Sequence, residues 1–273
     1  MNIRFDEKRA LVTGGGRGIG REIAILLNSL GAKIVVIDRI PEDMDSLRRD
    51  IDCETINADL SNVKAAEKAA EKALPIDLLV NCAGVVILEP FLDTTVDNFD
   101  ETLKVNVRAM MIVSQVVARN MIERKVEGSI VNISSVANVV AFQDHTTYCI
   151  SKAGVDQLTR CMALELGPHK IRTNAVAPVM TMTPMGRKAW SDPKKSEPML
   201  AKIPLGRFNE TIDVANAVVL LLSDKAAMIN GTIVPVDGGF MANNVYPSGL
   251  ASSAIPAPRI LAAPGISLTL IGV

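Results

Sequence analysis

Tyr148 and Lys152 form a Y-x-x-x-K pair in a segment with a helical pattern. A spacing of four puts both side chains on one helix face. A phenol titrates near pH ~10 and is a poor base at neutral pH, but an adjacent ammonium favours the phenolate. Such a pair suits proton exchange with the oxygen of a carbonyl/alcohol couple. Ser135 stands thirteen residues before Tyr148, just past the apolar run Ser129–Ser134, where its hydroxyl can hold a substrate oxygen beside the phenol. Singly, each of these fits a plain helix face or loop. A second group adds specificity. Thr13–Gly20 reads TGGGRGIG, follows an apolar run and opens a helical pattern. Gly14 and Gly18 allow tight turns near a pyrophosphate, Gly20 allows close helix packing, and the N–H groups around Ile19 open the helix toward phosphate. Asp38 ends the next apolar run, where an acid can accept from ribose hydroxyls. The two groups together describe a dinucleotide site beside a proton-transfer site.

Elements of definite kinds must position these residues. Apolar runs at Arg9–Thr13, Lys33–Asp38, Ile76–Asn81, Ser129–Ser134, Ile171–Val176 and Thr232–Val236 suit strands buried on both faces. Helical patterns at Ile19–Leu30, Val96–Glu123 and Thr147–Gly167 alternate with them. This alternation predicts an α/β fold, a doubly wound parallel sheet with helices on both faces, as one domain over residues 1–240. Residues 178–210, rich in Pro, Met, Lys and Ser, follow a strand and are a candidate substrate lid. Residues 241–273 form an apolar extension with four prolines, three glycines and one charge, Arg259, which does not suit a membrane helix.

Composition narrows the function. Hydrophobic residues at 48% and charged residues at 22% fit a folded chain rather than a disordered one. Twenty-nine basic and thirty acidic residues leave a net charge of -1, with no electrostatic footprint for nucleic acid. Two histidines, His145 and His169, leave little for a histidine metal site, and no metal is expected. Cys53, Cys82, Cys149 and Cys161 contain no CxxC pair and read as reduced thiols of a cytoplasmic protein. The N-terminal stretch is expected to carry no secretory signal.

In this order the residues resemble the classical short-chain dehydrogenase/reductase family, over about residues 7–240. The resemblance implies a Rossmann sheet of about seven strands. It also implies site residues. Asn81-Cys82-Ala83-Gly84 stands where the family usually has Asn-Asn-Ala-Gly, so Cys82 is a departure. Asp59 in Ala58-Asp59-Leu60 matches the residue that contacts adenine. Asn106 matches the asparagine that helps bind a proton-relay water near the lysine. Ser135, Tyr148 and Lys152 match the catalytic Ser, Tyr and Lys, with Lys152 also binding nicotinamide ribose. Pro178 matches the start of a Pro-Gly loop, with Val179 replacing Gly, and Thr183 matches the residue that binds the nicotinamide amide.

Ala163–Arg172, Trp190-Ser191-Asp192-Pro193, Ile203-Pro204-Leu205-Gly206 and Gly238-Gly239-Phe240 are similar to the L-xylulose (dicarbonyl) reductase and tetrameric carbonyl reductase branch. That similarity implies reduction of α-dicarbonyls or small ketoses with NADPH, by homotetramers. His145 and Trp190 match positions lining its substrate pocket, and they can equally be a loop histidine and an anchor for the lid. Val136 and Phe142 make the pocket more apolar than that of the xylulose reductases, and Asp38 replaces a small hydroxyl residue of the NADPH-using relatives. The cofactor is therefore NAD or NADP: Asp38 favours NAD, Arg17 and Arg39 favour NADP, and the balance leans to NAD. Two other functions remain open, an NAD-dependent secondary-alcohol or polyol dehydrogenase and a non-catalytic nucleotide-binding scaffold. The long helices carry apolar residues on more than one side, including Met110, Met111, Val116, Leu158, Met162 and Leu166, which agrees with a homotetramer.

Overall fold

Successive residues of a strand point to opposite faces, so a continuous apolar run is stable only where both faces are covered. The computed structural model, which describes residues 3–243, satisfies that condition. The described residues form one parallel sheet from β1 (Arg9–Thr13), β2 (Lys33–Asp38), β3 (Cys53–Asn57), β4 (Leu78–Asn81), β5 (Gly128–Ile133), β6 (Ile171–Pro178) and β7 (Ile233–Val236), in the order 3-2-1-4-5-6-7. Val12, Val36, Val80 and Val131 pack on one layer of helices, with α1 (Gly18–Ser29) and, later in the chain, Thr211–Leu222. Their neighbours Leu11, Val35, Leu79 and Ile130 pack on the other. The single-residue alternation between two buried clusters explains why these strands read as unbroken Val/Ile/Leu runs.

The remaining helices follow from the sequence. The first, α2 (Pro41–Asp50), has Pro at its start, acids in its first turn and arginines in its last, as the helix dipole favours. In α3 (Val63–Ala73), Ala66, Ala69, Ala70 and Ala73 form one face, and Asn62 caps its start by accepting from the N–H of Ala65. Next come α4 (Val96–Leu103), α5 (Met110–Glu123), α6 (Thr146–Leu166), α7 (Pro184–Ala189), α8 (Pro193–Leu200), α9 (Thr211–Leu222) and the short α10 (Phe240–Asn243). The strand order reverses between β1 and β4, which opens a crevice at the carboxyl ends of the strands.

The structure differs from the sequence reading in several elements. The helix expected over Val96–Glu123 is divided: a π-helical turn, Lys104–Ala109, lies between α4 and α5 and contains the buried Asn106. A strand absent from the apolar runs, β3, exists at the sheet edge, where only Ile56 of CETIN is buried. The strand expected from Ile76 begins at Leu78, and the Asp77 carboxylate before it accepts from Arg9 N–H and the Arg124 guanidinium. The described fold ends in α10 (Phe240–Asn243), where Phe240 is buried and Met241 N–H donates to Asp237. The rest of the extension, residues 244–273, lies outside the described residues. No described helix is long and apolar enough to cross a membrane.

Candidate active site

The loop between β1 and α1 forms one wall of the crevice. Gly14 has φ +65°, and a Cβ there would stand 2.8 Å from the Cα of Ala83. Gly18 has φ +58°, beside the Thr183 side chain. These are positions that only glycine takes without strain. Arg17, the residue before α1, makes no side-chain cap to the helix. The opening N–H groups of Gly18, Ile19 and Gly20 therefore keep their capacity for an anion. Thr13 Oγ1 accepts from the N–H groups of Cys82 and Ala83, which ties the loop after β4 to the loop after β1.

Asp38 lies at the end of β2, buried, with its carboxylate fixed from two sides. Oδ2 accepts from Gly16 N–H at 2.9 Å and Oδ1 from Ile40 N–H at 3.1 Å. Arg39 is exposed beside it, and Arg17 is half-exposed with Asp43 3.9 Å away. Asp59 and Leu60 line the crevice beyond Asp38, and Ala83 and Gly84 line its inner end. Thr183 both lines the crevice and caps α7, its Oγ1 accepting from Gly186 N–H. The glycine cradle, the uncapped helix start and the ribose-side carboxylate fit a dinucleotide.

Two expected cofactor residues, Asn81 and Pro178, are held in the sheet. Asn81 points into the sheet: its Nδ2 donates to Ser114 Oγ and Asn132 Oδ1, both at 2.9 Å. Its side chain joins β4, β5 and α5. Pro178 is buried at the end of β6.

Beyond Gly84, α6 carries Tyr148 and Lys152, and the Lys152 ammonium lies 3.9 Å from where a Gly84 Cβ would stand. The Lys152 ammonium donates to the Ile133 carbonyl at 2.8 Å and stands 5.5 Å from the centre of the Tyr148 ring. Burial pushes Lys152 down to about 8. Burial also pushes the Tyr148 phenol above its ordinary value, and the Ser135 hydroxyl pulls it partly back. The Tyr148–Lys152 spacing predicts that Lys152 lowers the phenol. Lys152 sits over the ring face and bonds a carbonyl, and the phenol is raised. Ser135 starts the 3₁₀ turn Val136–Asn138, its Oγ accepting from Ala137 N–H. Asn106 is fully engaged: Oδ1 accepts from Val85 N–H, and Nδ2 donates to Val85 O and Ser151 Oγ. Both amide hydrogens are used, so its side chain holds the loop after β4 against α6.

The pocket residues divide. His145 meets the Tyr148 ring edge-on at 6.2 Å, and Phe142 packs on His145 and stacks on Phe240. Val136 is buried with Val179, Ile203 and Phe208. Trp190 packs on Phe208 at 5.4 Å, which anchors the α7–α8 segment to this cluster.

Residues 14–241 match a family model described as enoyl-(acyl carrier protein) reductase. The chain is 49% identical to L-xylulose reductase of Bos taurus over 243 residues, 89% of this chain and 100% of the relative. It is 43% identical to carbonyl reductase [NADPH] 2 of Sus scrofa over 244 residues, 89% and 100%. A solved short-chain type dehydrogenase/reductase from Mycobacterium ulcerans is 29% identical, covers 88% of this chain and 92% of its own, and superimposes with a TM-score of 0.83. The chain belongs to the short-chain dehydrogenase/reductase family.

As a member of that family it is an NAD(P)-dependent oxidoreductase. Several residues of this short-chain dehydrogenase/reductase site escape sequence reasoning. Thr13 opens the TGGGRGIG motif, but the reach of its hydroxyl to the loop after β4 is not visible there. Ser151 links Asn106 to the backbone carbonyl of Tyr148 at 2.7 Å. Asp156 lies four residues beyond Lys152, a spacing that repeats the Tyr148–Lys152 interval.

Proposed function

We propose that the chain catalyses reversible hydride transfer between a nicotinamide cofactor and a small carbonyl substrate. The substrate class is an α-dicarbonyl or an L-xylulose-like ketose. The observation that carries this reading is the convergence of Ser135, Tyr148 and Lys152 at the inner end of a crevice that fits a dinucleotide. The names of the relatives, L-xylulose reductase and an NADPH carbonyl reductase, support the substrate class. The apolar Val136 and Phe142 favour diacetyl over a polyhydroxy ketose.

When bound, the cofactor supplies or accepts the hydride. Tyr148 gives the proton to the substrate oxygen in reduction. A phenol raised by burial stays protonated at neutral pH, which is the acid form that reduction needs. Ser135 holds the substrate oxygen and stabilises its developing charge. Lys152, at about 8, can hold the proton that resupplies Tyr148 and can bond nicotinamide ribose. Asn106 supports that relay by fixing the loop at Val85. The cofactor preferred is NAD(H), because a buried carboxylate held by two N–H groups opposes a 2′-phosphate more firmly than two solvated arginines attract it. Asp38 also favours a second reading, a secondary-alcohol or polyol dehydrogenase working with NAD. The working unit in either reading is a homotetramer in a reducing compartment. Four free cysteines support the compartment.

The test is turnover of the purified protein followed by nicotinamide absorbance. Diacetyl and L-xylulose are offered with NADH and NADPH, and xylitol with both oxidised cofactors. Diacetyl reduction faster with NADH is expected. Faster xylitol oxidation selects the dehydrogenase, and no turnover with any pair selects a non-catalytic scaffold.

A further inference from the structure

Tyr148, Lys152 and Asp156 follow one another at a spacing of four along α6, so they share a face. Asp156 is only 4% exposed, and none of the roles above uses it. Its Oδ1 accepts from Ser134 Oγ at 2.6 Å, and its Oδ2 accepts from Asn138 Nδ2. Ser134 and Asn138 flank Ser135, Val136 and Ala137. Both ends of the turn that carries Ser135 therefore hang on one carboxylate of the helix that carries Tyr148 and Lys152.

A buried carboxylate is costly unless it is bonded and its charge is opposed. Its partners in the turn are neutral. The cation on the same helix face is the Lys152 ammonium, one helical turn back and not in direct ion-pair contact with it. Around that ammonium stand the Tyr148 ring and Asp156 from α6, the Ile133 carbonyl of β5 and the Cys82 thiol beyond β4. Burial pushes Cys82 up to about 12, so the thiol is neutral and Asp156 is the anion of the set.

We infer that Asp156 is a positioning residue that sets Ser135 against Tyr148 through Ser134 and Asn138 and supplies the counter-charge of Lys152. This rests on Ser135, Tyr148 and Lys152 being the reacting set.

Two substitutions separate the roles. Asp156→Asn removes the charge and keeps both tethers. The introduced amide oxygen still accepts from Ser134, and Asn138, whose Oδ1 has no partner, can flip to accept from the introduced NH₂. With diacetyl and NADH, the alkaline limb of kcat for reduction then moves down by about one pH unit while KM holds. Asp156→Ala cuts both tethers, so kcat/KM for diacetyl falls about 10–100-fold with a raised KM and an unchanged NADH Kd. Ser134→Ala, which keeps the charge, gives a smaller loss of the same kind with no pH shift, and it serves if Asp156→Ala fails to fold. A carbon NMR titration of the lysine side chains, with Lys152 assigned against Lys152→Met, reads the charge without turnover. Lys152 loses its proton at lower pH in Asp156→Asn. An unmoved Lys152 titration overturns the counter-charge role, and wild-type KM and kcat in Ser134→Ala overturn the positioning role. A wild-type protein inert toward every substrate overturns the proposed function and leaves the Lys152 titration to be read.

Discussion

In the proposed reaction Tyr148 is the acid that gives its proton to the substrate oxygen. Removing its hydroxyl in Tyr148→Phe leaves the ring packed against His145 and the crevice wall intact. Turnover falls by about 10²–10⁴-fold, the share of a positioned acid, while cofactor Kd by fluorescence titration is unchanged. Lys152 gives the pH dependence its sign. Its ammonium exists below about 8 and is lost above it. Reduction, which consumes a proton, therefore declines as pH rises through about 8, and alcohol oxidation increases over the same range. Initial rates in both directions across that range check the sign. In the proposed NAD(H) preference, Asp38 sets the cofactor. Asp38→Ser removes the anion and leaves Arg17 and Arg39 in place, so the NADPH/NADH ratio of kcat/KM rises by about tenfold or more. An unchanged ratio would show that the arginines already decide.

The elements act by bringing backbone close to the cofactor, and here glycine sets what is possible. A Cβ on Gly20 would lie 2.2 Å from the carbonyl oxygen of Gly14, which is backbone and cannot yield cheaply. Gly20→Ala must push α1 away from its loop, at a cost of about 1–3 kcal/mol, and it distorts the anion seat. Lower Tm in calorimetry together with weaker cofactor binding is the expected result. Gly206→Ala, with open space around the Cβ, is a control that tests the φ +70° strain alone. The same scale shows what the sequence makes legible. Strands with Leu11/Val12 or Val35/Val36 pairs announce two covered faces, and the TGGGRGIG loop announces its turn. Edge strand β3 does not, because four of its five residues are not buried. The π turn at Lys104–Ala109 is also hidden, since its cause is the tertiary reach of Asn106 to Val85 and Ser151. Asn81 shows the converse: its place in the sequence suits the crevice, but Asn132 and Ser114 offer its amide buried partners.

For the whole molecule, the question is what covers the outer faces of the long helices. The sequence shows that α5 and α6 are apolar on two sides but not which residues serve which side. The fold assigns them. Met110 is buried within the chain, whereas Met111 on α5 and Ile150 and Leu164 on α6 reach solvent, Leu164 with 79% exposure. Isolated exposed apolar residues are ordinary, but several on neighbouring helices favour burial against copies of the chain. A homotetramer through these faces sediments at four times 29.2 kDa. Placing a carboxylate at the contact in Leu164→Glu costs more than the loss of the leucine, because an unpaired charge would be buried. The expected outcome is a shift of sedimentation toward smaller species, with the far-UV circular dichroism of the fold retained. A wild-type protein that sediments at 29.2 kDa would sink the assembly and leave the crevice chemistry to a single chain.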